Sequence, residues 1–370
     1  MTRIYLDHNA TSPMLPEISE RLRRHLQEGV GNPGSVHREG QHARGLLEQA
    51  RGKVLRSIAG QHGVLTFTSG ATEANNVALQ SLRAGELLVT TRLEHPSLRD
   101  LAEVLEERGV RLRWLEHDAR GRIDLEAAAG VVEGGALVAI TAANNELGNW
   151  NPVAELGQLC LERGARLHVD AAQVWGRLPF SVSPGVSSVT LSAHKAGGPI
   201  GIGALWAASP SLYSAQTFGG QQERGRRAGT ENVLFADAMA ALVDSERFQA
   251  NADAWASTAA LRDELWARLA DLGGLRNGDV ERALPNTLNV SFPGTEAEEM
   301  VMALDLEGVA ISAGSACTAG SMDVSPVIAA LGFDEGRTAS ALRFSLGPYT
   351  RLEEIEEAVR RVASVLARAR

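Results

Sequence analysis

Only two cysteines, Cys160 and Cys317, occur among 370 residues. That scarcity excludes a disulfide framework, and their separation excludes a paired CxxC metal motif. No stretch approaches 18 uninterrupted apolar residues, and the N-terminal run Met1-Thr-Arg-Ile-Tyr-Leu-Asp-His-Asn lacks an apolar segment of signal-peptide length. The expectation is a cytoplasmic protein with no membrane partner. Positive charge is also in deficit: 36 Lys and Arg stand against 45 Asp and Glu, a net charge of −9, which leaves no general footprint for nucleic acid. What is abundant is ordinary globular material, 44% hydrophobic and 22% charged, enough for one large domain and a smaller one.

From Val64 to about Trp206, short β-rich runs alternate with helical stretches. The runs are Val64 to Phe67, Glu86 to Thr90, Arg111 to Leu115, Ala136 to Thr141 and Arg166 to Asp170, with helices at Pro96 to Arg108 and Pro152 to Arg163. This alternation predicts βαβ units around a mostly parallel sheet, with ligands at the carboxyl ends of the strands. An alanine-rich stretch from Asn232 to Leu272 has few breakers and reads as a long helical connector. Beyond it, strands at Thr287 to Phe292, Val309 to Ser312 and Ala341 to Leu346, with helices at Glu296 to Leu306 and Leu352 to Ala367, predict a smaller α+β domain.

Residues able to carry chemistry fall after the predicted strands. In Val189-Thr-Leu-Ser-Ala-His-Lys-Ala-Gly-Gly, a strand runs through Ser192 and His194 into Lys195 and a glycine-rich turn. A partly desolvated lysine fixed there can form a Schiff base with a carbonyl cofactor, although a solvated lysine at a strand end is the bland alternative. Asp170 ends the run Arg166-Leu-His-Val-Asp and precedes Gln173. It can serve as the anionic partner of a pyridinium nitrogen, as pyridoxal phosphate requires, or simply as a helix N-cap. The turn Thr68-Ser-Gly-Ala-Thr-Glu opens a helix and offers backbone donors around Ala71 and Thr72 to a phosphate; a capping box is the competing interpretation. His95, before Pro96, can stack on a planar ring and pass protons, or be an ordinary surface histidine. Asn145 offers an amide to a ring oxygen or carboxylate, or shapes a turn.

The two cysteines read differently. Cys317 lies in Ile311-Ser-Ala-Gly-Ser-Ala-Cys-Thr-Ala-Gly-Ser, a run of small residues suited to an accessible thiolate that reaches into a pocket and withdraws. Cys160 has apolar neighbours at helical spacing and reads as a small buried hydrophobe. Arg343, inside a predicted strand, needs a partner if buried, either a substrate carboxylate or a structural ion pair. The run Arg224, Arg226 and Arg227 is by itself a solvated basic patch.

Taken together in order, these motifs resemble those of the cysteine desulfurases of the aminotransferase-like, fold-type I pyridoxal-phosphate superfamily. The likeness runs through Tyr5-Leu-Asp-His-Asn-Ala-Thr, Gly31-Asn-Pro-Gly-Ser-Val-His, Thr68-Ser-Gly-Ala-Thr-Glu, Asn144-Asn-Glu-Leu-Gly, His168-Val-Asp-Ala-Ala-Gln, Gly219 to Thr230, Gly314-Ser-Ala-Cys-Thr and Arg343-Phe-Ser-Leu-Gly. The Cys317 segment is similar to the nitrogen-fixation and iron–sulfur type with longer catalytic loops.

The resemblance implies an α/β fold: a large cofactor domain over residues 15–255 with a mostly parallel sheet flanked by helices, and a smaller α+β domain from 1–14 and 256–370. It implies that Lys195 binds pyridoxal 5'-phosphate and abstracts the Cα proton of L-cysteine, that Asp170 pairs with the ring nitrogen, that Gln173 contacts the ring oxygen, and that His95 stacks. Ala71, Thr72, Ser192 and His194 would hold the phosphate, and Thr230 would complete that cup in the neighbouring subunit of a homodimer. Asn145 and Arg343 would hold the substrate carboxylate. Cys317 would take the sulfur as a persulfide, leaving alanine, and pass it to an acceptor such as an iron–sulfur scaffold. Where many relatives have Ser-Gly-His-Lys-x-Tyr-Gly-Pro-Lys-Gly, this chain has Ala193, Gly197 and Ile200, which implies altered packing around an intact cofactor site. It also lacks the longer C-terminal tail with which some relatives dock a scaffold. Another lyase or aminotransferase of the same fold, or a non-catalytic member, are the rival readings.

Overall fold

The computed structural model describes residues 3–246, 248–249, 252–314 and 324–369. The Cys317 assignment therefore lies outside the described residues.

The chain enters through a short strand, β1 (Ile4–Tyr5), and two helices, α1 (Pro16–Glu28) and α2 (Arg38–Ser57). Pro16 starts α1, where its fixed φ suits the first helical position, and Gly29 at φ 75° ends it in a conformation that disfavours a side chain. The alternation then unfolds as the sequence predicts: β2 (Val64–Thr68), α3 (Ala71–Leu79), β3 (Leu87–Thr90), α4 (Pro96–Glu107), β4 (Arg111–Trp114), α5 (Leu125–Val131), β5 (Leu137–Thr141), α6 (Val153–Arg163), β6 (Arg166–Asp170), β7 (Val186–Ser192) and β8 (Gly203–Ala207). These strands form one seven-stranded sheet in the order β2-β8-β7-β6-β5-β3-β4, in which β8 alone pairs antiparallel with its neighbours. Every residue of β3 and β5 is buried, as expected of strands covered by helices on both faces.

The predicted connector from Asn232 to Leu272 is a correction. It is two helices, α8 (Val233–Leu242) and α9 (Ala252–Asp271), separated by a turn in which the Ser245 hydroxyl bonds the Leu242 carbonyl; the short helical turn α7 (Gln222–Gly225) precedes them. Composition alone hid the break, because the turn contains neither glycine nor proline. Nor is α8 a spacer: Val233, Ala236, Met239, Ala240 and Leu242 are buried in the same core as Leu47, Val54 and Trp175.

The remaining elements are β9 (Leu275–Asn277), β10 (Thr287–Ser291), α10 (Ala297–Leu306), β11 (Val309–Ala310), α11 (Pro326–Ala330), α12 (Glu335–Ala339), β12 (Ala341–Ser345) and α13 (Leu352–Ala369). A three-stranded antiparallel sheet, β12-β10-β9, is covered by α9, α10 and α13, whose Leu265, Leu269, Met300, Leu304, Ile355, Val362 and Leu366 make a separate core. The N-terminus is drawn into that core, since β1 pairs in parallel with β11 and Leu6 is fully buried. Asp7 to Thr11 thereby pass between the two sheets on the way to the large one.

Candidate active site at the strand ends

Register brings the strand ends level. Asp170, at the end of β6, pairs with Thr141 at the end of β5 and with Thr190 near the end of β7. From this edge emerge α3 after β2, His95 after β3, Asn145 after β5, and Lys195 in the 3-10 turn His194–Ala196 after β7.

Asp170 is buried, and its carboxylate is fully engaged on the protein side: Oδ2 accepts from Asn75 Nδ2 at 2.7 Å and Oδ1 from the Ala172 amide at 2.9 Å. Burial raises its pKa, opposed by those two bonds and by the Lys195 charge. The helix-cap alternative is thus partly real, since the Ala172 bond is of that kind, but the second oxygen is committed to Asn75. Lys195 is half-buried. Its backbone is pinned through the carbonyl, which accepts from Ser12 Oγ at 2.9 Å and from Arg177 Nε and Nη2 at 3.1 and 3.0 Å. Arg177 also donates to Gln173 Oε1 at 2.6 Å, while Gln173 Nε2 donates to the Asn9 carbonyl at 3.1 Å. A single buried guanidinium therefore holds both the lysine backbone and the glutamine amide.

His95 is no surface histidine. It is half-buried as the N-cap of α4, its Nδ1 accepts the Ser97 amide at 3.1 Å, and burial followed by the charge of Lys195 lowers its pKa to about 3. His194 lies 3.2 Å from Thr11 Oγ1 through Nδ1, and burial, then Lys195 and Arg177, lower its pKa to about 4. Both rings are neutral near pH 7.

At α3 the capping-box interpretation is half right. The N-cap is Gly70, with no side-chain cap, yet Glu73 Oε2 reaches back to the Ser69 amide at 2.7 Å. The first helical amides, beginning at Ala71 and Thr72, face out from an uncapped helix end, with Thr72 exposed. A Cβ on Gly203 would come within 2.8 Å of Gly70 Cα, so this turn lies directly against β8. Ser192 Oγ and Thr190 Oγ1, two residues apart on one face of β7, are buried without hydrogen-bond partners.

On the small-domain side, Arg343 from β12 is buried. Its Nη2 donates to Asp7 Oδ1 at 2.7 Å and its Nη1 to the Asn145 carbonyl at 3.1 Å, while Nε and the Asn145 side-chain oxygen have no partner. The structural ion pair is present, and an unfilled donor stands beside it. Thr230 is exposed at the far end of the segment that starts near Phe218. The basic run behind it is not merely solvated: Arg227 pairs with Glu73 at 3.0 Å and Arg224 with Glu48 at 3.1 Å, both anchored to the α3 and α2 region. Cys160 is buried within the core, and desolvation pushes its thiol up to about 12, as expected of an inert hydrophobe. Ala193 is buried, Gly197 takes φ 88°, and Ile200 is exposed, so the three departures from the family pattern alter packing and surface and leave the Lys195 turn in place. Sequence reasoning missed Asn9, Thr11, Asn75, Ser97 and Arg177. The one available signal was His168, a polar residue between the buried Leu167 and Val169 that required buried partners.

A lysine and a buried carboxylate at the ends of adjacent strands, with an uncapped helix N-terminus at the same edge, define an enzyme of the aminotransferase type. The chain belongs to the aminotransferase class-V family, whose model matches residues 4–358. Within that family it is a homologue of the cysteine desulfurases. It is 37% identical over 379 residues to a putative cysteine desulfurase, IscS 1, of Bacillus subtilis, covering 100% of both chains. Its fold superposes on a solved NifS-like protein with a TM-score of 0.91 at 30% identity, covering 99% of this chain and 100% of that one. It also superposes on a structure described as SspA in complex with cysteine, with a TM-score of 0.80 at 28% identity, covering 95% of this chain and 100% of that one.

Proposed function

We propose that this cysteine desulfurase uses pyridoxal 5'-phosphate held at the strand ends and takes sulfur from L-cysteine onto Cys317. The observation that carries the reading is Asp170, buried and ionisable, set beside Lys195 at an edge where Ser192 Oγ and the α3 amides await an anionic group. These residues fit the cofactor: a carboxylate for its ring nitrogen, a primary amine for its carbonyl, and hydroxyl and backbone donors for its phosphate. When bound, the cofactor supplies an electron sink for charge developing at the substrate Cα.

The chain's own groups do the rest. Lys195 Nζ would hold the cofactor through its carbonyl carbon and would serve as the base at the substrate Cα. Asp170 keeps a proton on the ring nitrogen. Gln173 meets the ring oxygen, and His95 covers the ring face as a neutral imidazole. Ala71, Thr72, Ser192 and His194 bind the phosphate. Arg343 through Nε, with Asn145, orients the substrate carboxylate. The Cys317 thiolate attacks the substrate sulfur and keeps it as a persulfide, the carbon–sulfur bond breaks, and the carbon skeleton leaves as alanine after protonation. A homodimer in which Thr230 completes the partner's phosphate cup is supported by the exposure of Thr230 and of the nearby Phe218, 89% exposed. A cytoplasmic location and delivery of sulfur to an iron–sulfur scaffold complete the reading.

Mass spectrometry after incubation with cysteine tests it. One added sulfur on Cys317 with alanine release is expected; sulfur on Cys160, or full sulfur transfer by Cys317→Ala, overturns it.

A further inference from the structure

Behind the strand ends lies a buried chain of polar side chains that the proposed chemistry does not use. Asn75, fully buried on α3, donates both hydrogens of its amide nitrogen, one to Asp170 Oδ2 at 2.7 Å and one to Ser97 Oγ at 2.8 Å. The reverse orientation of the amide would set its oxygen against the carboxylate, so the electrostatics fix the orientation. The Asn75 oxygen is then an acceptor, and His168 Nε2, at 3.1 Å, must be its donor. A neutral imidazole has one N–H, so His168 Nδ1 accepts from Ser188 Oγ at 2.7 Å.

The other branch has an equally determined direction. Ser97 Oγ uses a lone pair on Asn75, which frees its hydrogen for His95 Nδ1 at 2.9 Å, and the Ser97 amide donates to the same nitrogen at 3.1 Å. His95 Nδ1 therefore carries no hydrogen, and its single N–H is on Nε2. Donors run one way through the whole chain and end on two acceptors, the Asp170 carboxylate and the His95 ring.

We infer that Asn75 is the positioning residue shared by Asp170 and Ser97, one amide nitrogen holding the carboxylate for the cofactor's ring nitrogen and the hydroxyl that supports the His95 ring, whose tautomer the Ser97 backbone amide fixes. The inference rests on the cofactor reading above and deepens it. Asp170 needs help to stay ionised in a buried site, and the Asn75 bond is the direct side-chain donor it has. Removing that bond weakens the hold on a protonated pyridine nitrogen. Cutting the Ser97 hydroxyl instead leaves the Asp170 bond intact and removes one of the two donors at His95 Nδ1. The two branches can thus be severed separately.

The experiment compares wild type, Asn75→Ala and Ser97→Ala as full-length chains, reconstituted with pyridoxal 5'-phosphate. Cofactor affinity is read from the bound absorbance band, its pH titration is followed, and the histidine tautomers are read from ¹⁵N-labelled imidazoles, with His95→Gln assigning the resonance. Loss of a charge-assisted hydrogen bond of this kind predicts about tenfold or more weaker cofactor binding in Asn75→Ala and a displaced titration midpoint of the band. Ser97→Ala is expected to keep affinity within about twofold and to keep the His95 tautomer, which the backbone amide at position 97 still fixes. Wild-type affinity and titration in a folded Asn75→Ala protein would overturn the inference while leaving the cofactor reading intact. If Asn75→Ala does not fold, Asn75→Leu, similar in shape but without a donor, decides: wild-type cofactor affinity and titration midpoint in it sink the positioning role. A wild-type protein that binds no cofactor sinks both readings.

Discussion

The two sides of the proposed cleft are built on opposite principles. On the large-sheet side, Asp170, Gln173 and the Lys195 backbone are tied to Asn75, Arg177, Ser12 and Asn9, so each is fixed before any ligand arrives. Where the small domain meets this edge, Arg343 keeps one donor unfilled, and Asn145, entering from the loop after β5, keeps one acceptor, although both residues are buried; on the large sheet itself the unfilled groups are the hydroxyls of Ser192 and Thr190. An unfilled buried group costs roughly 1–3 kcal/mol, which a bound polar partner recovers. The difference separates a side built to hold a permanent group from a side built to exchange a substrate.

The largest expected effect tests the fixed side. Lys195→Ala should abolish the bound-cofactor absorbance band that borohydride modifies in wild type, and slow alanine formation by about 10³-fold or more, because the amine serves both as the covalent link and as the base. Retained turnover would erase the contrast between the two sides. Next comes Asp7→Asn. Removing one partner of a fully buried ion pair typically destabilises by about 3–5 kcal/mol; Asp7, the part-buried carboxylate paired with the buried Arg343, should fall somewhat short of that, at roughly 2–3 kcal/mol. Urea unfolding should register that loss; a change under about 1 kcal/mol would mean that the small-domain side is solvated rather than buried.

A smaller effect concerns substrate alone. Arg343→Gln should raise KM for cysteine about 10- to 100-fold, as for a lost charge-assisted bond, with cofactor affinity unchanged. Equal losses in both quantities would merge the two sides into one.

Most of the fixed side was legible in the sequence because parallel-sheet architecture delivers its chemistry to strand ends, and Asp170, Lys195, His95 and Asn145 each follow a recognisable strand. Lysine scarcity sharpens the case: the sequence contains two lysines, and the other, Lys53, is paired with Asp244 near the surface. The supporting residues were not legible. Asn75 sits on a helix and Arg177 in the turn after β6 with no local signal, and their partners are remote in sequence, Asn9 168 residues from Arg177 and Asp170 95 residues from Asn75. The Asp7–Arg343 pair spans 336 residues and exists only because β1 joins the small domain. The merged helix from Asn232 to Leu272 failed for a related reason, since a serine-capped turn leaves no glycine or proline to mark it.

The smallest effect distinguishes burial that serves the site from burial that merely lies behind it. Glu94 is fully buried next to the fixed side, accepting from Thr91 Oγ1 at 2.9 Å and from the Thr141 amide at 2.7 Å. Burial, with a contribution from the Asp170 charge, raises its pKa from 4.5 to about 7, against the pull of those bonds. A carboxyl whose folded pKa lies above its unfolded one binds its proton more tightly when folded, so its stabilising contribution is complete below pH 4.5 and is lost as pH rises toward 7. Between pH 5.5 and 7 this group alone should remove roughly 1–2 kcal/mol. Glu94→Gln should flatten that part of the stability curve in urea titrations at successive pH values. Persistence of the same slope in Glu94→Gln would sink the assignment to Glu94 and turn attention to the other buried carboxyls whose pKa burial raises, Asp170 and Glu146.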